Sequence, residues 1–223
     1  MTTQSKKLPN MAIALTGVMS VTALAIICYA VLGLETLHSN RALALFVLAV
    51  VTARMKVKLP GLTGNMSVNL PFLLIAATQL TLLEALIVAL PACAVQCLPR
   101  KSRKPNLLQM LFNLSTTAVA VGVANFASKR LALVAAACFF LLQTIPVASI
   151  IAITEGAAWV GTWCKIANLS FPFYVLSAGM VSLATASGTS LSWQVALLGT
   201  PVLYAIYRSY ESYFEEPGQV VNG

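Results

Sequence analysis

Residues 11–33 read MAIALTGVMSVTALAIICYAVLG and carry no charged side chain. A helix needs roughly 20 apolar residues to cross a hydrocarbon core about 30 Å thick. This run therefore commits the chain to a bilayer. Lys6 and Lys7 stand before it, as a signal peptide's basic lead would. The apolar run is longer than a signal core of about 7–15 residues, so a spanning helix is expected instead.

The same pattern recurs outward along the chain. A polar loop at 35–40 separates the first run from a second, shorter one at 41–53, which ends at Arg54, Lys56 and Lys58. Basic clusters mark cytoplasmic loops, which places the first loop outside and this one inside. Residues 59–71, LPGLTGNMSVNLP, hold two prolines, two glycines and two asparagines. Such a stretch makes a poor helix. Irregular backbone survives at membrane depth only when it is buried in protein or wetted, so a cytoplasmic loop or a re-entrant segment is expected. From 72 to 98 the chain is apolar apart from Gln79, Glu84 and Gln96, and Arg100, Lys101, Arg103 and Lys104 follow. The basic residues on both sides require an even number of crossings between them. Two short spans meeting near 81–84 or one re-entrant hairpin would satisfy that.

A fifth span is expected at 106–127 and a sixth at 131–153. A cytoplasmic link at 154–165 would carry Trp159 and Trp163, residue types suited to the interface. A seventh span at 169–186 and an eighth at 193–207 complete the series. Lys129 and Arg130 then fall outside, against the charge rule. The expected fold is all-α: a polytopic transmembrane bundle of about eight spans (six to eight), one of them a hairpin in the alternative reading. Residues 1–208 would form the membrane domain and 209–223 a short cytoplasmic tail. Both termini would be cytoplasmic, in a bacterial inner membrane.

Composition agrees with this reading. Of 223 residues 59% are hydrophobic and 9% charged, with a mean hydropathy of +0.86; a soluble domain carries roughly a quarter charged residues. The net charge of +8 could suggest nucleic acid. Its placement between apolar runs indicates membrane orientation instead, so no nucleic-acid partner is expected. The five cysteines lie in or beside apolar runs and read as small packing residues. Ala85, Ala89, Cys93 and Cys97 form a small-residue stripe at spacing four, as do Ala178, Ser182 and Ala186. Ala118 and Gly122 form a shorter one. Such stripes let helices approach closely in lipid.

Polar residues inside the spans are the candidate functional groups. Glu84 is an intramembrane carboxylate, which by default marks function. At the outer tip of the hairpin it would be solvated; facing inward it could bind a cationic group or relay a proton. Asn106, Gln109, Asn113 and Thr117 fall at steps of three and four. They form one polar stripe on the cytoplasmic half of the fifth span. The stripe serves either interhelical hydrogen bonding or, together with Asn65, Asn69 and Gln79, a polar ligand pocket. The candidate ligand-binding set is therefore Asn65, Asn69, Gln79, Glu84, Gln109 and Asn113. No catalytic set is visible. There is no Asp, one His, no His-Glu-x-x-His, no Walker loop and no Gly-x-Ser-x-Gly. No enzyme activity, cofactor or metal is expected.

Four stretches together resemble a known module: KLPGLTGNMSVN at 58–69, QMLFN at 109–113, SFPFY at 170–174 and PVLYAIYRSY at 201–210. They are similar to the N-terminal multi-pass membrane domain of some bacterial HD-GYP and GGDEF signalling proteins, and the likeness covers about residues 40–215. In those proteins the membrane domain precedes cytoplasmic domains that break or make cyclic di-GMP. The His-Asp pair and the acidic motif of those output domains are not in this sequence. The resemblance therefore implies a sensory or ligand-binding module that lacks its own output domain. It would sit in the lipid bilayer, bind a small molecule, and act through a membrane or cytoplasmic protein partner. The alternative is a substrate-binding membrane subunit of an energy-coupling-factor-type uptake transporter. Such subunits are small, basic and helical, and dock through an Ala-x-x-x-Ala pattern on the first helix. Here the first run lacks that pattern, and its first occurrence is Ala49 and Ala53, on the second run.

Overall fold

The computed structural model describes residues 10–33, 39–58, 65–67, 69–98, 106–128 and 131–186, with 194, 197–202, 204–205 and 208–209 beyond them. Among the described residues seven helices can be bounded: α1 (Asn10–Leu32), α2 (Ser39–Ala53), α3 (Leu70–Gln79), α4 (Leu82–Cys97), α5 (Leu107–Ser128), α6 (Ala132–Glu155) and α7 (Trp159–Ala186). Between α2 and α3 lies an antiparallel pair of short strands, β1 (Lys56–Lys58) and β2 (Asn65–Ser67), with Val57 opposite Met66. The irregular stretch after the second apolar run is thus in part a small β-ribbon. Its connection, residues 59–64, lies outside the described residues.

Four helices, α1, α5, α6 and α7, are long and apolar enough to cross a membrane. The other three are shorter. At 1.5 Å per residue α3 covers only about 15 Å, half a hydrocarbon core, and α4 about 24 Å. Parts of the expected eighth span are helical at 194, 197–202, 204–205 and 208–209, and the rest of it and the tail lie outside the described residues. One expectation changes. Trp159 and Trp163 do not sit in a link but in the first turns of α7, stacked with ring centroids 6.2 Å apart. The link itself shrinks to 156–158. Gly156 makes this tight turn possible, adopting φ 67° at the end of α6, where only glycine is unstrained.

The short helix α3 is the centre of the bundle. Every residue from Leu70 to Ala77 is buried, and α2, α4, α5, α6 and α7 all pack on it. Its C-terminal end stops inside the protein, which leaves carbonyls without helical partners. Asn125, in the last turn of α5, supplies them. Its Nδ2 donates to Ala77 O at 2.9 Å and to Leu80 O at 3.1 Å. The chain then reverses, and Thr81 starts α4 with a capping box. The Thr81 hydroxyl accepts from Glu84 N at 3.3 Å, and the Glu84 carboxylate accepts from Thr81 N at 3.2 Å.

Small residues set the spacing elsewhere. Ala85, Ala89 and Cys93 are buried on α4, where Cys93 and Cys97 meet Thr117 and Asn113 of α5. A Cβ added to Gly122 would stand 2.7 Å from Ile26 Cγ2, so α1 rests directly on α5 at that point. The third stripe does not form a buried seam, since Ser182 and Ala186 are exposed and α7 buries Ser177, Met180, Val181 and Ala184 instead. Large apolar side chains cover the outside, among them Val18, Val21 and Leu24 on α1, Leu133 on α6 and Phe171 on α7. Such a surface suits lipid, not water.

Removing the amide that serves the end of α3 should be costly. Asn125→Leu is expected to destabilise the protein by about 1–3 kcal/mol, the penalty for stranding a buried acceptor. Reversible unfolding in mixed micelles measures this. A variant as stable as the parent would show that the Ala77 and Leu80 carbonyls need no donor.

Candidate functional site

The interhelical hydrogen bonds fix the depth of each element. Asn113 bonds Cys97, in the last turn of α4, and Asn125 bonds the end of α3. Helix α5 therefore begins six residues beyond the level where α4 stops, about 9 Å of extra length. The tip of the α3–α4 hairpin lies level with the far end of α5, and both of its open ends are sunk below the near end. The longer helices stand above the hairpin as walls. The space between is a cavity of about 430 Å3, within the range of small-molecule sites.

Five elements besides α3 contribute to its wall. Ala12 and Thr16 come from α1, Cys93 and Gln96 from α4, and Gln109, Phe112, Asn113, Thr116 and Thr117 from α5, with Asn106 just before it. Phe139, Gln143, Thr144 and Thr154 come from α6, and Ile166, Ser170 and Tyr174 from α7. Asn69, Leu70 and Leu73 reach it from the start of α3. Asn106 and Gln109 are exposed, while Asn69, Thr116, Phe112 and Phe139 are buried. The cavity thus runs from a wet amide rim to a dry floor.

Most hydroxyls on this wall are already occupied. Thr16, Thr144, Thr154 and Ser170 donate to the carbonyl four residues earlier, at 2.7–2.9 Å, as helical Ser and Thr do in apolar surroundings. Thr117 donates to Cys93 Sγ at 3.4 Å and lies 3.4 Å from the Gln143 Nε2 donor. Trp163 Nε1 donates to Thr144 Oγ1 at 3.3 Å, tying the start of α7 to the wall of α6. Two fully buried groups break the pattern. Thr116 is 1% exposed and Asn69 is 3% exposed, and neither Thr116 Oγ1 nor Asn69 Nδ2 has a hydrogen-bond partner. Asn69 occupies the N-cap position of α3, where an Asn side chain would ordinarily accept from the first helical N–H groups. It makes no such bond. Both unpaired side chains belong to the cavity wall.

The structure sorts the expected site residues. Asn69, Gln109 and Asn113 meet at the cavity, and so do the other stripe members, Asn106 and Thr117. Asn106 also caps α5, its Oδ1 accepting from Leu108 N at 3.2 Å. Gln79 and Glu84 do not line it. Gln79 sits at the other end of α3 and donates to Thr185 Oγ1 at 2.9 Å. Glu84 is 1% exposed, so it is not a solvated tip residue, and its carboxylate is engaged by the capping box. Asn65 is in β2, paired with Lys58. Thr116, Gln96, Gln143 and the aromatic floor escaped the sequence reading. The polar pair Gln143–Thr144 inside an apolar run was the available signal for α6; Thr116, on the apolar side of the stripe, offered none.

No protein-family model, no curated protein and no solved structure matches the chain. The site must be interpreted from its own chemistry.

An unpaired buried hydroxyl in an otherwise satisfied core is a stability defect. Thr116→Val, nearly isosteric, is expected to leave the ligand-free protein as stable or to stabilise it by up to about 1–2 kcal/mol, because it removes a polar group with no partner. The same unfolding assay reads this. Clear destabilisation would mean that Oγ1 has a structural partner.

Proposed function

We propose that the chain is a non-enzymatic membrane sensory or ligand-binding module. It holds a small molecule in the cavity between α1, α3, α4, α5, α6 and α7 and passes the occupied state to a protein partner. The observation that carries this reading is the cavity itself, on which side-chain amides and hydroxyls from α1, α4, α5, α6, α7 and the start of α3 converge. A few convergent polar groups in a largely apolar hollow are what a small-molecule site presents.

Two further features support it. Three of the four stretches behind the resemblance to the membrane domains of HD-GYP and GGDEF proteins, far apart in sequence, each send side chains to this cavity: Asn69 from the first, Gln109, Phe112 and Asn113 from the second, Ser170 and Tyr174 from the third. Residues shared for packing alone would have no reason to converge on a hollow. In sequence, the basic groups at 54–58 and 100–104 adjoin the ends of α2, α4 and α5 nearest the cavity mouth. By the positive-inside rule that mouth faces the cytoplasm of a bacterial inner membrane. The topology we propose has about eight crossings, with α3 and α4 as an unequal pair that dips from the cytoplasmic side, and both termini inside.

The transporter-subunit reading is the rival. Its docking pattern, Ala49 and Ala53, is fully buried in the core, and on α1 the equivalent step, Ala12 to Thr16, faces the cavity. Neither pair is on the outer surface, where a coupling subunit would need it. This favours the sensory reading.

Gentle-detergent purification of the tagged protein from its host, with mass spectrometry of co-purifying proteins, separates the two. A signalling enzyme or regulator is expected. An ATPase pair with a membrane coupling subunit would overturn the sensory reading. Topology is checked separately: a fusion made after Lys104 should fluoresce with green fluorescent protein and be inactive with alkaline phosphatase, and the reverse pattern would invert the proposed orientation.

A further inference from the structure

We infer that Cys93 and Cys97 hold a soft, thiophilic metal cation between α4 and α5, and that Cu(I) is the ion whose chemistry suits the pair. This goes beyond the cavity reading, since the cation site stands whatever else fills the hollow.

Helical spacing brings the thiols together. Residues four apart on a helix are neighbours on one face, and Cys93 and Cys97 are within hydrogen-bond reach of each other. Neither is in a disulfide. Two metal–sulfur bonds of about 2.3 Å each place the sulfurs at most about 4.6 Å apart, a gap that side chains one turn apart can span. Cys93 is buried and belongs to the cavity wall, while Cys97 is half-buried and stands one turn nearer the mouth. The hollow is therefore the entry path that a metal site needs, and a cation arriving through it meets Cys97 first.

The groups aimed at the sulfurs are the second observation. Asn113 Nδ2 donates to Cys97 Sγ and Thr117 Oγ1 donates to Cys93 Sγ, both at 3.4 Å. From α6, Gln143 Nε2 donates to Thr117 Oγ1 at 3.4 Å, which leaves the Thr117 proton for the sulfur. The other hydroxyls that bond on this wall, those of Thr16, Thr144, Thr154 and Ser170, turn back to their own helix; Thr117 crosses to α4 instead. A thiol sulfur is a weak acceptor, so these donors gain little from it. A metal-bound thiolate is a strong acceptor, and donors directed at the ligand atoms form the outer shell that orients them.

Two thiolates are a full ligand set for a cation that accepts two-coordination. Soft sulfur ligands select Cu(I), whereas zinc takes four ligands. On binding, each Sγ–H bond breaks as an S–Cu bond forms, and the two protons leave to water at the mouth. The product, one Cu(I) between two thiolates, carries one negative charge. The Asn113 N–H and the Thr117 O–H point at that charge, and in sequence Arg100 and Lys101 follow shortly after Cys97.

The test is a titration of the full chain in lipid nanodiscs with Cu(I), under nitrogen and in competition with a chromophoric Cu(I) chelator. The near-ultraviolet absorption of Cu(I)–thiolate is the second readout. The other cysteines are first removed, as Cys28→Ala, Cys138→Ala and Cys164→Ala, so that only the pair can respond. One Cu(I) per chain is expected. Cys93→Ser or Cys97→Ser, each nearly isosteric, should abolish it, and Asn113→Leu should weaken it about tenfold, as loss of an outer-shell partner does. Asn113→Leu leaves both thiols in place and keeps the test decisive should a serine variant fold poorly; an unchanged affinity there overturns the role given to the donors. No Cu(I) bound, or Cu(I) bound as tightly after either serine substitution, overturns the site. Zn(II) bound as tightly as Cu(I), and dependent on both cysteines, overturns the choice of a soft two-ligand cation.

Discussion

A helix that ends inside a membrane protein must have its last carbonyls met, because lipid offers no donors. In this molecule one amide does it. Asn125 Nδ2 reaches Ala77 O and Leu80 O together, and this allows α3 to stop after ten residues at the core of the bundle. A buried backbone acceptor left unsatisfied costs about 1–3 kcal/mol, so the break at Leu80 and Thr81 leans on that contact. The capping box that opens α4 completes the turn from the other side. Without these two devices the stretch from 70 to 97 would gain by continuing as one long helix, and the hairpin would be lost.

The cavity follows from the hairpin. Helices of unequal length packed side by side cannot all reach both faces of a bundle, and here α3 and α4 fall short at the end where α1, α5, α6 and α7 continue. The hollow is a consequence of lengths and of register, the latter set by Asn113 on Cys97 and Thr117 on Cys93. Its chemistry comes from the four long walls, which would otherwise face one another and pack shut. Phe112 and Phe139 close the floor, and the exposed amides Asn106 and Gln109 keep the mouth wet.

How far the sequence alone reached is uneven in an instructive way. The long helices were legible because an uncharged run of twenty residues has one stable home. The hairpin was legible as an even number of crossings, from basic residues on both sides, with its turn expected near 81–84. The contact that serves that turn was not, since Asn125 lies forty-five residues after Leu80 and sequence spacing cannot link the two. The stripe on α5 was visible through its period, and its members do share one cavity. Glu84 misled for a physical reason: a carboxylate three residues after a threonine fits a helix cap as well as an ion site, and the structure uses it as a cap. Thr154, Trp159 and Trp163 looked like loop because the run from 154 to 165 is less apolar. Gly156 confines the turn to three residues, and α7 starts at once.

The unpaired groups behind the cavity wall bear on how the proposed module would respond to a ligand. Each stranded buried group costs about 1–3 kcal/mol, against a total stability of about 5–15 kcal/mol for a folded domain. Asn69 and Thr116 together are therefore a noticeable strain on the ligand-free state. Neither unpaired atom has surface open to the cavity, so a molecule there would reach them only after α3 and α5 had shifted apart, and a ligand shifts an equilibrium by as much as its affinity differs between states. Asn69 is also the N-cap of α3, on which α2, α4, α5, α6 and α7 all pack. A change at that end of α3 would be felt by each of them, and this is the coupling that the proposed sensory module would need.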